Sequence, residues 1–404
     1  MKRSSRRLAS AAIAALFAAA AFSRASVPAR RVEIPVRVYS GSQFADNLQL
    51  QDFELVENGR PQAIESLALV VKDRIARVEP ALSERATVPR SFYLMFQMIE
   101  YEARIEKALT HLFKDVLVPG DNVTIITPMK PYSLAPNALT LKPREMIAKE
   151  MNNLLRKDIQ RGTGEYKSLV SDLKRIIKAI SGTSQTGGAE DESDATESLF
   201  GIDHLLSRYR TSLQKLESLR LLEENRFLSF AQAMKKINGQ KIVFFFYERE
   251  FLPEMSQSVL NLLMSEYQDR DDILAGLSEM FQYYKRTISF EIPRVKQALS
   301  DAGVTFNFVF MTREPKYAFG ITWRDQSEDS FRIFSELAAA TGGRIDNNLD
   351  PEAGLRNATD ASEKYYILTY TPSPEPKDGS FRSIVVRVKG TGYTISHKLG
   401  YFAD

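Results

Sequence analysis

The stretch SFYLMFQMIEY, residues 91–101, carries the strongest fold signal in the chain. Its apolar first half is typical of a short strand buried inside a parallel sheet. Over residues 105–116, apolar side chains recur every three or four positions, which predicts an amphipathic helix. Pro119 and Gly120 end that helix, and the run VTII at 123–126 predicts a second strand. The stretch therefore predicts a strand–helix–strand unit.

The same alternation continues further along the chain. Apolar runs at 241–246 and 304–310 predict two more buried strands, and a helix is predicted between them at 291–302. Strands that alternate with helices indicate a mostly parallel sheet with helices on both faces. We therefore expect an α/β fold with a doubly wound, mostly parallel sheet over residues 90–350. Ligands of such sheets bind beyond the carboxyl ends of the strands.

Two long helical segments interrupt this domain, and β-rich segments flank it. Residues 142–236 and 255–284 have helical patterns, which predict helical insertions attached to the sheet. Within the first, residues 181–198 are acidic and rich in Gly, Ser and Thr, as is typical of a mobile loop. The flanks, 26–75 and 363–404, have strand patterns. Because the ends of a domain often lie close together, we expect the flanks to pair into one small β module.

The N-terminus has the pattern of a secretory signal peptide. Four basic residues (Lys2, Arg3, Arg6 and Arg7) precede an Ala-rich apolar core, and small residues follow it. This predicts a signal peptide over residues 1–25, with an uncleaved N-terminal anchor as the alternative. No later segment is apolar enough to predict a membrane span. Because the chain also has no cysteine, we expect an exported bacterial protein, periplasmic or at the cell surface.

The composition argues against several classes of function. The 404 residues are 44% hydrophobic with a net charge of +3, and the basic residues are spread along the chain, so no nucleic-acid surface is predicted. The sequence contains no nucleophile elbow, phosphate-binding loop or dinucleotide fingerprint. The three histidines, His111, His204 and His397, lie far apart in the sequence. We therefore expect a protein that is not an enzyme.

Three stretches carry a resemblance to a known family. They are residues 50–64 (LQDFELVENGRPQAI), 337–344 (LAAATGGR), and the ending from Tyr365 to Tyr401, which includes an Asp378-Gly379 turn. In order and spacing they resemble the bacterial exported proteins with a von Willebrand factor A-related domain, especially the acidobacterial-type group. The resemblance implies a von Willebrand A-like sheet domain between the two flanks.

The resemblance also implies a degenerate metal-ion-dependent adhesion site. Many domains of this family bind Mg²⁺ through an Asp-x-Ser-x-Ser motif after the first strand, and the matching positions here are Gln97, Ile99 and Tyr101. Hard cations need oxygen ligands, commonly carboxylates. We therefore expect no cofactor, and neither Mg nor Ca. One substitute site would use Glu100, Glu248 and Glu250; the alternative is that these are solvated surface charges.

We therefore expect a non-catalytic module that binds another protein without a metal, and the oligomeric state stays open. The candidate binding face consists of Gln97, Ile99, Glu100, Tyr101, Tyr247, Glu248 and Arg249. Exposed aromatic contacts are expected at Tyr247, Tyr283, Tyr284, Tyr317 and Trp323. The alternatives are a divalent-cation-dependent adhesion domain with an improvised carboxylate site, a hydrolase without linear motifs, and a structural envelope protein that self-assembles through its helices.

Overall fold

The fold is described from a computed structural model. It describes residues 31–80, 87–135, 137–181, 201–219, 223–283, 289–312, 314–347, 350–373 and 378–403. The predicted signal peptide, Tyr284 and all but the first residue of the predicted acidic loop lie outside these residues, and the side chain of Tyr283 is not described.

The elements follow one another in an order that begins and ends with strands. The N-terminal strands are β1 (Val32–Ser40), β2 (Gln43–Phe44), β3 (Phe53–Glu57), β4 (Arg60–Gln62), β5 (Ile64–Val71) and β6 (Arg74–Glu79). Then come β7 (Arg90–Gln97), α1 (Arg104–His111) with a π-helical continuation (Leu112–Val116), β8 (Asn122–Ile126), β9 (Pro131–Ser133), α2 (Ala138–Leu141), α3 (Arg144–Gly162), α4 (Gly164–Ile180), α5 (Ile202–Leu219) and α6 (Glu224–Lys235).

The second half of the chain returns to alternating strands and helices. Its elements are β10 (Gln240–Glu248), β11 (Phe251–Met255), α7 (Gln257–Glu266), α8 (Asp271–Tyr283), α9 (Ile292–Asp301), β12 (Val304–Met311), β13 (Ile321–Asp325), α10 (Glu328–Ala340), β14 (Ile345–Asp346) and α11 (Pro351–Glu363). The chain closes with β15 (Lys364–Tyr370), β16 (Phe381–Val388), β17 (Tyr393–His397) and β18 (Gly400–Phe402).

The described strands form four sheets, and three of them are antiparallel throughout. Their orders are β17-β1-β15-β5-β6 with β2 beside β1, then β18-β16-β3-β4, and finally β11-β13. The fourth sheet has the order β14-β12-β10-β7-β8-β9. In it the pairs from β14 to β8 are parallel, and β9 is antiparallel.

The predicted fold class, a von Willebrand A-like doubly wound and mostly parallel sheet, is therefore wrong for this chain. Most strand pairs are antiparallel, and the parallel pairs are confined to one sheet. The physical reason lies in the flanks, which supply two complete sheets rather than one small module. At Asn58 and Gly59 the backbone has φ of 46° and 79°. This geometry suits a tight hairpin, and a hairpin makes neighbouring strands antiparallel.

The sheet that contains β7 and β10 has a core on each face. One core joins β7, β8 and β10 to apolar residues of α1, α3 and α11. The other joins β10 and β12 to α6, α9 and α10, and its rings meet at Phe334, whose centroid lies 4.5 Å from that of Phe245. Because β10 is buried along its whole length, its last residues are held firmly at the end of the sheet where the parallel strands finish.

The helical insertion has a core of its own, and this core holds α4 near the carboxyl ends of β7 and β10. Apolar residues of α4, α5, α7 and α8 pack together with residues of β11 and β13. The hydroxyl of Tyr209 on α5 donates a hydrogen bond to the carbonyl of Pro253 on β11 at 3.1 Å. In the part of the chain that the structure describes, no helix is both long and apolar enough to cross a membrane.

Candidate functional site

A cleft of about 420 Å³ opens where β7 and β10 end. From the sheet side it is lined by Ile99, Glu100, Glu248, Arg249 and Phe251. We call this side the floor. Four of these residues, Ile99, Glu100, Glu248 and Arg249, belong to the face that the sequence predicts. They could be predicted because they stand at or just after the ends of two predicted strands.

Helix α4 forms the opposite side of the cleft, which we call the wall. Its lining residues are Tyr166, Lys167, Val170, Ser171 and Lys174. Tyr166, Val170 and Lys174 follow one another at intervals of four, so they form one stripe along the helix. The neighbouring stripe contains Leu169 and Leu173, which are buried in the core of the insertion. The helix thus buries one stripe and turns the next one to the cleft.

The third side is the rim, which consists of Glu314, Pro315, Lys316 and Trp323. The indole Nε1 of Trp323 donates to the carbonyl of Lys316 at 3.0 Å. The ammonium of Lys174 lies 4.6 Å from the centre of the same indole ring, so a cation–π contact joins wall and rim. Tyr317 and Phe319 follow Lys316 in the sequence, lie outside the cleft lining and are 87% and 62% exposed.

Glu248 shapes the floor. Glu248 is only 4% exposed. Its Oε2 accepts hydrogen bonds from the backbone N–H groups of Ile99 at 2.7 Å and Glu100 at 2.9 Å. Burial raises the pKa of the Glu248 carboxyl to about 7, while the Ile99 N–H opposes that rise. The nearby Glu102 carboxyl raises the pKa further and the Lys167 ammonium lowers it. Glu248 therefore holds the turn after β7 in place.

The three carboxylates of the improvised cation site do not come together. Glu100 and Glu248 line the cleft, whereas Glu250 is buried and accepts a hydrogen bond from the hydroxyl of Tyr247 at 2.7 Å. The backbone N–H of Glu250 donates to Ser327 Oγ at 2.6 Å. Across the described ranges, no group of three or more His, Cys, Asp and Glu residues is placed to hold a metal ion.

The remaining residues of the predicted face lie elsewhere. Gln97 is exposed at the end of β7 but does not line the cleft. Tyr101 points to α3, where its hydroxyl donates to Asn152 Oδ1 at 2.6 Å. Tyr247 is only 1% exposed, so its predicted role as an exposed contact is wrong: β10 is buried on both faces and leaves no solvent side. Tyr317 is exposed as expected, and Trp323 is half-buried.

Sequence reasoning missed the whole wall, Phe251 on the floor, and Glu314, Pro315 and Lys316 on the rim. The interval of four along α4 was visible in the sequence, but it does not reveal which stripe is buried. Trp323 reaches the site because β13 pairs with β11, which places Trp323 opposite Pro253. No local pattern predicts that pairing, since it joins strands from distant parts of the chain.

Comparison with known proteins does not assign a family. No protein-family model and no curated protein matches the chain. Among solved structures, the crystal structure of the human COPII-coat protein Sec24c is similar with 8% identity and a TM-score of 0.29 over 78% of this chain. This chain spans 43% of the length of that chain. A TM-score of that size carries no argument about fold or function.

Proposed function

We propose that this chain is an exported, non-catalytic module that binds another protein by accepting a segment of it in the cleft, without a metal ion. The observation that carries the proposal is the composition of the cleft lining. Tyr166, Phe251 and Trp323 present aromatic surface beside Arg249. Tyr, Trp and Arg are the residues that contribute most to protein–protein binding.

The mouth of the cleft supports the same proposal. Tyr317 and Phe319, which follow the rim residue Lys316 in the sequence, add exposed aromatic surface outside the cleft lining. A small-molecule site would enclose its ligand, whereas aromatic surface outside the cleft favours a partner large enough to extend beyond it. The floor and wall are each attached to a buried core, so the partner meets a preformed surface and little ordering is needed on binding.

The experiment is a selection of random peptides displayed on phage against the mature chain, followed by titration of the selected peptides. Ser171 is an exposed residue of the wall, so Ser171→Trp would fill the cleft without removing any packing. Ser168 is exposed on the same helix but does not line the cleft, and Ser168→Trp is the matched control. We expect Ser171→Trp to weaken binding at least about thirtyfold, a loss of about 2 kcal/mol typical of a hot spot. Equal binding by both variants would contradict the proposal.

A general acid–base role for Glu248 is the second candidate, because a carboxyl with a pKa of about 7 in a cleft is typical of catalytic sites. Glu248→Gln separates the two functions, since the amide oxygen can still accept from Ile99 and Glu100 while the side chain no longer titrates. A hydrolase would lose turnover of an ester or peptide substrate in this variant. A binding module would keep its affinity for the selected peptides.

A further inference from the structure

We propose that the segment accepted by the cleft is acidic, and that its carboxylates bind the lysines of the wall and rim while an adjacent apolar side chain packs on Phe251 of the floor and Trp323 of the rim. This inference rests on the proposed function and specifies the partner. It predicts a peptide that carries aspartate or glutamate next to an aromatic or branched apolar residue.

The first support is the state of the lysines. Lys167, Lys174 and Lys316 line the cleft, and none of them has a carboxylate oxygen within ion-pair distance among the residues that the structure describes. Arg249 is different, because its Nε lies 3.1 Å from Asp325 Oδ2. Lys174 contacts the Trp323 ring and Lys167 lies near enough to Glu248 to lower the pKa of its carboxyl, but neither forms the close ion pair that Arg249 forms with Asp325.

The second support is the charge of the lining, in which four cationic side chains face three carboxylates. The wall contributes two lysines and no carboxylate to the lining. The floor contributes Glu100 and Glu248, whose Oε2 accepts two backbone N–H groups, together with Arg249. Glu314 stands on the exposed rim next to Lys316. The wall is therefore cationic, and charge complementarity favours an anionic partner.

The third support is the position of Lys174 between wall and rim. It is half-buried and its ammonium contacts the Trp323 ring. Burial, together with the nearby Lys178 ammonium, lowers the pKa of Lys174. A cation that has lost part of its hydration gains more from a carboxylate partner than a fully solvated one does. An acidic side chain that reaches Lys174 lies beside Trp323, so its neighbour in the peptide would meet aromatic surface.

The test uses three peptide libraries of one design, in which fixed aromatic or leucine positions alternate with glutamate, glutamine or lysine. We expect the glutamate library to yield peptides that bind the mature chain and lose binding to Ser171→Trp. Conversion of their glutamates to glutamine should weaken binding at least about tenfold, and affinity should fall as salt is raised. Inorganic polyphosphate serves as a polyanion without apolar groups and should not compete.

Variants of the protein complete the test. Lys174→Gln and Lys316→Gln should each weaken the glutamate peptides about fivefold or more, whereas Lys149→Gln, an exposed lysine of α3 outside the cleft lining, should leave binding within about twofold. Cleft-dependent binding of glutamine or lysine peptides would overturn the acidic-partner inference and leave the proposed function standing. Competition by polyphosphate would also overturn it, since charge alone would then suffice. Failure of all three libraries to yield Ser171→Trp-sensitive binders would contradict both.

Discussion

The floor and the wall of the cleft differ in what holds them in place. The floor belongs to the sheet of β7 and β10, and the wall belongs to a helix of the insertion. The floor is the end of a buried sheet: Glu248 is hydrogen-bonded to the backbone, and Phe246 stacks on Phe96 at 4.7 Å just below it. The wall is the outer stripe of a helix whose apolar stripe packs in another core. Glu248 of the floor therefore serves the fold, whereas Ser171 and Lys174 of the wall lie outside the buried stripe and belong to the surface that we propose for partner binding.

The largest expected effect is a loss of stability when the packing beneath the floor is removed. Phe246→Ala removes one ring of the stacked pair beneath the cleft and leaves a cavity between two central strands. We expect the free energy of unfolding to fall by about 3–5 kcal/mol. Tyr317→Ala, at an exposed aromatic of the mouth, should change it by less than about 0.5 kcal/mol. Urea unfolding of both variants measures this, and equal losses would break the distinction between buried floor and exposed mouth.

A second prediction concerns pH and Glu248. The pKa of its carboxyl is raised to about 7 in the folded protein from an ordinary value of 4.5, so between these pH values the folded state binds the proton more tightly than the unfolded state. Its contribution to stability is therefore fully present below about pH 4.5 and is lost as pH rises to about 7. The loss is about 3 kcal/mol at most.

Glu248→Gln is the control for this pH dependence, because it retains the size and the acceptor oxygen of the side chain. We expect the difference in unfolding free energy between the native chain and Glu248→Gln to change by about 1–3 kcal/mol between pH 5 and pH 7.5. The native chain should lose stability relative to the variant as pH rises. Parallel pH profiles would show that the Glu248 carboxyl is not protonated near neutral pH.

A third, smaller effect tests how the wall is attached. Tyr209→Phe removes the hydroxyl that donates to the Pro253 carbonyl and so joins the insertion to β11. We expect a loss of about 1 kcal/mol of stability, together with weaker peptide binding because the wall is less firmly placed. Tyr317→Phe, at an exposed tyrosine, is the matched control for stability and should leave the free energy of unfolding unchanged. Unaltered stability in Tyr209→Phe would show that the apolar core alone holds the wall.

The smallest expected effect is that of divalent cations. Mg²⁺, Ca²⁺ or Mn²⁺ at millimolar concentration should move the melting temperature by less than about 1 °C relative to EDTA, since a ligand must bind the native state to stabilise it. The carboxylates Glu100, Glu248 and Glu250 do not converge on one point. A clear shift that disappears in Glu100→Ala would revive the cation-dependent adhesion hypothesis.

The same comparison shows what the sequence can predict. Apolar runs locate the strands around 91–97 and 241–246, so the floor residues Ile99, Glu100, Glu248 and Arg249 could be named from local pattern alone. The helical character of α4 was equally visible. Which of its stripes is buried depends on α5, α7 and β11, and no local pattern contains that information.

The errors have physical causes of the same kind. The sequence predicts an exposed Tyr247 because aromatic residues are enriched in interfaces, but helices cover both faces of β10 and bury it. The mostly parallel sheet was predicted from the alternation in the middle of the chain. Some antiparallel pairs are local hairpins, such as β3 with β4. Others join distant segments, such as β1 with β15 and β3 with β16, and each of those strands alone gives no sign of its partner.

The most direct measurement of the central claim is photo-crosslinking of a selected peptide that carries a benzophenone, with the crosslinked residues identified by mass spectrometry. If the cleft is the binding site, crosslinks will fall on the wall at 166–174 and on the rim at 314–323, and they will disappear in Ser171→Trp but persist in Ser168→Trp. Crosslinks concentrated on the antiparallel flanking sheets or on α3, unchanged by Ser171→Trp, would contradict the account.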